Sequence, residues 1–200
     1  MLSAEAPRRA RRLVLCATGA YQSFTLPGFI LSLLRHVADD VHVVLSASAA
    51  RLVSPLAVEA ASHHPVHVGA DGDGGDALAE LVREADLVLV YPATVNVVGR
   101  VANGIAADVV SAVVLSATAP VIFVPFANPR MWAHPAAARN LELLEEHGYV
   151  VLPPMSGIEV ATREGLAESG EPFPLPTLLP RLTAALRGSS IGRARRRESP

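Results

Sequence analysis

The feature that most limits how this chain can fold is an alternation of two kinds of segment. Short runs rich in β-branched residues, LVLCA (13–17), VHVVLS (41–46), PVHV (65–68), LVLVYP (87–92), VIFVPF (121–126) and YVVLP (149–153), are separated by longer stretches of helical period. Those stretches include LPGFILSLLRHV (26–37), LVSPLAVEAASH (52–63) and PAAARNLELLEEHG (135–148), the last opened by Pro135 and closed by Gly148 as helix ends require. Apolar runs this continuous suit strands covered on both faces, and the helical segments between them supply the cover. Strand–helix–strand units connect right-handedly into a mostly parallel sheet. The predicted fold class is α/β, a single-domain Rossmann-like (flavodoxin-like) parallel sheet with helices on both faces.

Composition agrees. In 200 residues the chain is 50% hydrophobic but only 4% aromatic, so the core is one of small aliphatic side chains. Its formal charge is −2, and the arginines cluster in RRARR (8–12) and RARRR (193–197). Both ends are read as solvated tails. This divides the chain into a disordered basic N-terminus (1–12), one domain (13–187) and a disordered basic C-terminal tail (188–200). No nucleic-acid partner is expected. The single cysteine, Cys16, excludes an intramolecular disulfide framework and a multi-cysteine metal site, and no metal is expected. The opening loosely imitates a secretory leader, but Thr18, Gly19, Tyr21, Gln22 and Ser23 interrupt its apolar run. No membrane partner and a cytoplasmic location are therefore expected. GADGDGGD (69–76) reads as a surface connection, since the register and terminal Glu of an EF-hand are missing. The Pro- and Gly-rich tract 153–180 reads as a lid over the site.

Ligands of such sheets bind beyond the carboxyl ends of the strands. In CATGAYQSFTLPG (16–28), the small residues Thr18, Gly19 and Ala20 let main-chain N–H groups approach a phosphate, although no G-x-G-x-x-G fingerprint is present. LSASAAR (45–51) offers Ser46 and Ser48, for which helix capping is the alternative role. YPATVNVVGRVANGIAADVVS (91–111) places Thr94 and Asn96 just after a buried strand and an Asn103-Gly104 turn further on. The fifth strand leads into PFANPRMW (125–132).

From about Leu13 to Pro180, the chain resembles the homo-oligomeric flavin-containing cysteine decarboxylases. Their P-A-S/T-A-N-T and K-I-A-N-G-I-A/C-D-N-L-L segments are similar to 92–111. Their P-x-M-N-x-x-M-W motif matches Pro125, Asn128, Met131 and Trp132, with Ala127 in place of the first Met. LVLCATGA and LSASA look most like the lantibiotic-type peptidyl-cysteine decarboxylases. The resemblance implies FMN, or FAD, held near Thr18, Gly19, Ala20, Ser46, Thr94 and Asn96. It also implies a substrate site using Asn128 as a catalytic donor together with Met131, whereas Trp132 reads as packing. The implied reaction is flavin-dependent oxidative decarboxylation of the C-terminal cysteine of a ribosomally made precursor peptide. Its product is an aminoenethiol for aminovinyl-cysteine formation. The implied assembly is a homo-oligomer, a trimer or dodecamer, with Asn128 near a subunit boundary.

In that family a histidine usually opens the helix before the fourth strand, and here LAELVREADLV (78–88) carries Leu78 there. His67, in PVHVG, is the candidate catalytic base in its place; His63 and His64 are poorer candidates. Three alternatives stay open: phosphopantothenoylcysteine decarboxylase, flavin prenyltransferase and a noncatalytic flavin-binding subunit. Against the first, the family's flap cysteine is missing from SGIEVATREGLAESG (156–170).

Overall fold

Each apolar run of the sequence contributes a strand in the computed structural model, which describes residues 9–69, 75–153, 178–180 and 182–184. The strands are β1 (Ala10–Ala17), β2 (Ala38–Leu45), β3 (His67–Val68), β4 (Leu87–Ala93), β5 (Val121–Pro125) and β6 (Val150–Val151). They form one sheet in the order β3-β2-β1-β4-β5-β6, with every pairing parallel. This is the doubly wound order of dinucleotide-binding sheets; without the two-residue edge strand β3 it reduces to the flavodoxin-like order. Either way, the order reverses between β1 and β4, and a crevice opens there beyond the strand ends.

The helices are α1 (Leu26–His36), α2 (Pro55–Ser62), α3 (Gly75–Glu84), α4 (Val95–Ala102), α5 (Val109–Ser116), α6 (Pro129–Trp132) and α7 (Pro135–Glu146). Side-chain alternation along the strands divides the core in two. Leu13, Leu15, Leu87, Leu89 and Ile122 pack against Phe29, Ile30 and Leu33 of α1, Val58 of α2, and Leu178 and Leu182. Val14, Cys16, Val88, Val90 and Phe123 face the other way, onto α3, α4, α5 and Leu144 of α7. Each of the large fully buried side chains stabilises the fold by about 1.5–3 kcal/mol. Helix ends follow local chemistry: α7 has Pro at its start, His134 Nδ1 accepts the Ala136 N–H at 3.2 Å, and Gly148 beyond it has φ 86°. The stretch 52–63 becomes helical only at Pro55, whose fixed φ suits a first helical position.

One boundary is corrected. Order begins no later than Arg9, with β1 starting at Ala10, so residues 9–12 are not part of a solvated tail. The Arg9 guanidinium donates to the carbonyls of Leu34, Arg35 and Ala38 and pairs with Asp39 at 2.8 Å. Asp86 accepts the N–H groups of Arg11 and Arg12 at 3.1 Å each, while the Arg12 side chain pairs with Glu84 and stands 3.8 Å from Asp40. The folded chain brings acids from two distant segments, 39–40 and 84–86, to the arginines, and that company was invisible in RRARR. The expected C-terminal tail, residues 70–74 of the Gly/Asp loop and residues 154–177 of the expected lid lie outside the described residues. Among the described residues, no helix is long and apolar enough to cross a membrane.

Candidate active site

Thr18 is the first residue beyond β1, and it ties the two strands at the switch point together. Its hydroxyl donates to the Pro92 carbonyl at 2.7 Å, accepts the Thr94 N–H at 3.0 Å and stands 3.1 Å from Thr94 Oγ1. Ser23 Oγ donates to the Thr18 carbonyl at 2.6 Å and anchors the turn from below. Thr18 and Ser23 are buried, so these neutral bonds are made where water cannot replace them. Thr94 is the residue capping α4, yet its side chain makes no cap bond and turns to Thr18 instead. The first turn of α4, with Asn96 exposed on it, therefore presents its N–H groups and partial positive charge at the rim.

Gly19 is demanded by packing. A Cβ at this position would lie 2.5 Å from Ser48 Cβ, so the turn after β1 and the turn after β2 approach as closely as they do only because there is no side chain between them. Ser46 anchors that second turn: its N–H donates to the Ala17 carbonyl at 3.0 Å and its Oγ accepts the Ala49 N–H at 3.1 Å. Ser46 thus braces the turn ahead of the short 3-10 helix Ala49–Arg51, whose cap position is Ser48 with no side-chain cap bond, and Ser46 also lines the cavity.

On the far side, the Arg100 guanidinium of α4 pairs with Asp108, which caps α5 in a reciprocal box with Ser111 (2.8 and 3.1 Å). At the end of β5 the buried Phe126 donates its N–H to the Ala93 carbonyl at 2.9 Å. Asn128 then caps α6, its Oδ1 accepting the Arg130 N–H at 2.8 Å, and the exposed Met131 leans over the opening.

These pieces enclose a cavity of about 600 Å³ at the strand ends. The wall contains Thr18, Gly19, Ala20, Ser46, Thr94, Asn96 and Met131, so seven side chains or turns expected at the site do meet there. Asn128 is not on the wall itself but adjoins wall residue Ala127. His67 is not on the wall either; it opens β3 opposite Val44, and Gly69, two residues on, is the one that reaches the cavity. Leu78 packs partly buried against the core beside α3 and offers no polar group. Trp132 is also partly buried against that core, in keeping with a packing role.

Arg100, Asp108, Phe126 and Gly69 also line the cavity and were not singled out from the sequence. Arg100 and Asp108 flank the Asn103-Gly104 turn, where Gly104 has φ 69°; the charge pair across that turn was the available signal. Cys16 lies inside β1, fully buried, where burial and then the Asp108 charge push its thiol pKa up, so it is a core residue and not a nucleophile.

The donor set is mostly neutral: hydroxyls, main-chain N–H groups at a glycine turn and a helix start, and one guanidinium already paired. Ala20, Val95, Phe126 and Met131 supply apolar wall. Such a lining fits a ligand with an anionic end and a flat, largely apolar body.

A model of the flavoprotein family matches residues 1–171. The coenzyme A biosynthesis bifunctional protein CoaBC of Bacillus subtilis (strain 168) is 34% identical over 165 residues, which are 81% of this chain and 40% of that protein. The chain thus spans well under half the length of this curated relative. Among solved structures, the FMN-dependent cysteine decarboxylase TvaF from thioviridamide biosynthesis superposes with a TM-score of 0.66 at 31% identity, over 79% of this chain and 96% of TvaF. MrsD from Bacillus sp. HIL-Y85/54728 superposes with a TM-score of 0.64 at 28% identity, over 76% of this chain and 86% of MrsD.

Proposed function

This chain belongs to the flavoprotein family, and from that premise we propose that it is an FMN-dependent decarboxylase of peptides ending in cysteine. The product is an aminoenethiol that partner enzymes build into an aminovinyl-cysteine. The observation that carries the reading is the meeting, in one strand-end cavity, of neutral donors from three strand ends with Met131 and Ala127, beside Asn128. The similarity to TvaF supports it.

Bound FMN supplies a two-electron acceptor, which lets a carboxylate next to an otherwise unactivated carbon be lost. The protein's part is to bind and orient. The Thr18–Gly19–Ala20 turn, Ser46, Thr94 and Asn96 would hold the cofactor, with main-chain N–H groups of the glycine turn and of the start of α4 available to its anionic end. Asn128 caps α6 through its Oδ1 beside wall residue Ala127, and we assign the residue as donor to the substrate carboxylate. Met131 covers the cysteine side chain. For the thiol proton the reading keeps His67, which stands two residues before Gly69 of the wall. An unchanged rate and pH profile in His67→Ala would remove it from the mechanism. The assembly that accompanies this reading is a trimer or a dodecamer, which light scattering of the purified protein distinguishes.

A second reading, decarboxylation of phosphopantothenoylcysteine, is favoured by the 34% identity to CoaBC. Against it stands the place of the only cysteine, sealed within β1 and unable to return a proton to a product at the cavity. One experiment separates the two: the yellow protein is incubated with a cysteine-ending peptide, its C-terminal amide, or phosphopantothenoylcysteine. The proposed reading expects the free-acid peptide alone to lose about 46 Da, as carbon dioxide and two hydrogens, the latter passing to the flavin. Loss of about 44 Da from phosphopantothenoylcysteine supports the second reading. Prenylation of the flavin by dimethylallyl phosphate, or flavin binding with no turnover at all, overturns both.

A further inference from the structure

At the end of the sheet opposite the cavity, three potential ligands converge. In β2, Val41, Val43 and Leu45 point into one core, so alternation puts Asp40 and His42 together on the other face. β3 pairs only with Val44 and Leu45, so at Asp40 and His42 β2 has no strand beyond it. The chain leaving α2 fills that position. His63 turns it with φ 60°, and Ser62 Oγ lies 3.3 Å from the His64 N–H and 3.2 Å from the His64 carbonyl. His64 is thereby delivered onto Asp40.

The resulting geometry is specific. His42 Nε2 lies 2.9 Å from Asp40 Oδ2, and His64 Nε2 lies 2.5 Å from Asp40 Oδ1. The two imidazoles stack with centroids 3.9 Å apart and planes at 20°, and each places its Nε2 against one oxygen of the same carboxylate. One ligand atom from each residue falls within 4.8 Å of the other two. All three side chains are between 17% and 34% exposed, sheltered but open to solvent on one side. Arg12 also approaches Asp40, at 3.8 Å, but it is paired with Glu84, so the group as a whole keeps a negative balance.

We propose that Asp40, His42 and His64 form a binding site for a divalent transition-metal ion of the zinc class, tying β2 to the α2–β3 connection. Two imidazoles and a carboxylate favour zinc, nickel or copper over magnesium or calcium, which prefer all-oxygen shells. Tetrahedral bonds of about 2.0–2.1 Å put neighbouring ligand atoms roughly 3.3 Å apart, so the present contacts need open by less than about 1 Å. The imidazoles must also leave their stacked arrangement, turning about their side-chain torsions so that both Nε2 lone pairs meet at the ion, and their partly exposed positions leave room for that. Each neutral imidazole carries its proton on Nδ1 when Nε2 binds metal, and water completes the coordination. Asp40 lies five residues before the end of β2, about 17 Å from the cavity rim, so the ion acts on stability and not on the decarboxylation.

The test uses the full-length, untagged, flavin-loaded protein after dialysis against chelator. Zinc chloride is titrated by calorimetry, and cobalt(II) is followed by its visible absorption. The site predicts saturable binding of one zinc per chain, and a Tm rise of about 5–10 °C at a hundredfold excess over Kd. His64→Ala and Asp40→Asn should each weaken binding by more than about 100-fold, since even groups behind the ligands cost 10–100-fold when removed. His36→Ala, on the surface at the end of α1, should bind as the wild type does. Circular dichroism and retained flavin absorbance confirm that each variant is folded; His64→Gln replaces any that is not. Absence of saturable binding to the wild type, or equal affinity in the Asp40 and His64 variants, overturns the proposal.

Discussion

At the amino end of the sheet, charged side chains answer one another: Arg9 with Asp39, Arg12 with Glu84 and Asp40, His42 and His64 with Asp40. At the carboxyl end of the same strands, Thr18, Ser46 and Thr94 are neutral, and their hydrogen bonds go mainly to main-chain groups. Charges held at a half-exposed edge add little stability each, but they position the strand starts. Neutral hydroxyls and N–H groups cost less to desolvate than charges, and they can line a cavity awaiting an anionic ligand. The two ends therefore differ in what a substitution should do: at the rim function fails, whereas at the amino edge only stability shifts.

The sharpest way to break that contrast is at Asn128. Asn128→Asp keeps the oxygen that caps α6 but loses the amide donor, so flavin content should hold while turnover falls by about 10²–10³-fold. A variant with near-normal carbon dioxide release would reduce Asn128 to a helix cap. Next is Thr18→Val, which has the same shape without the hydroxyl. It leaves the Thr94 N–H without its hydroxyl partner and the Pro92 carbonyl with the Thr18 N–H alone, at a cost of about 1–3 kcal/mol. Flavin should be lost on gel filtration, and retention of cofactor at unchanged Tm would show that the rim does not depend on this knot.

Gly19→Ala sets a methyl group against Ser48 at 2.5 Å and should cost about 1–3 kcal/mol together with weaker flavin binding. Adding Ser48→Gly should restore most of the loss in denaturant titrations, because the two residues share one contact. The smallest effect belongs to the other end. Arg12→Ala removes half-exposed ion pairs worth about 0–1 kcal/mol, and its effect should shrink further in high salt. Its flavin affinity should equal that of the wild type; a loss there would mean the two ends are coupled after all.

Much of this was legible before the structure. The six apolar runs, the helices between them and the small polar residues where strands end are all local patterns; six of the residues they singled out share one cavity wall with Met131, which the family resemblance added. The reading of 9–12 as part of a tail failed because arginine clusters look alike whether solvated or paired, and only Asp39, Asp40, Glu84 and Asp86 distinguish the cases. His67 was chosen for its position at a strand end, but in so short an edge strand the wall is reached by Gly69. Attention to cysteine spacing could not anticipate the Asp40, His42 and His64 group, since its third member is 24 positions from the first and follows no ligand motif.

The sequence by itself determined the layered α/β architecture and the polar character of the strand ends, because hydrophobic period and turn chemistry act over a few neighbouring residues. Only the tertiary structure decided which groups meet: Thr18 with Pro92 and Thr94, Gly19 with Ser48, Arg12 with Glu84, His64 with Asp40. Those partners lie on separate strands, turns and helices, and their meeting depends on strand order and crossover path, which no local pattern encodes.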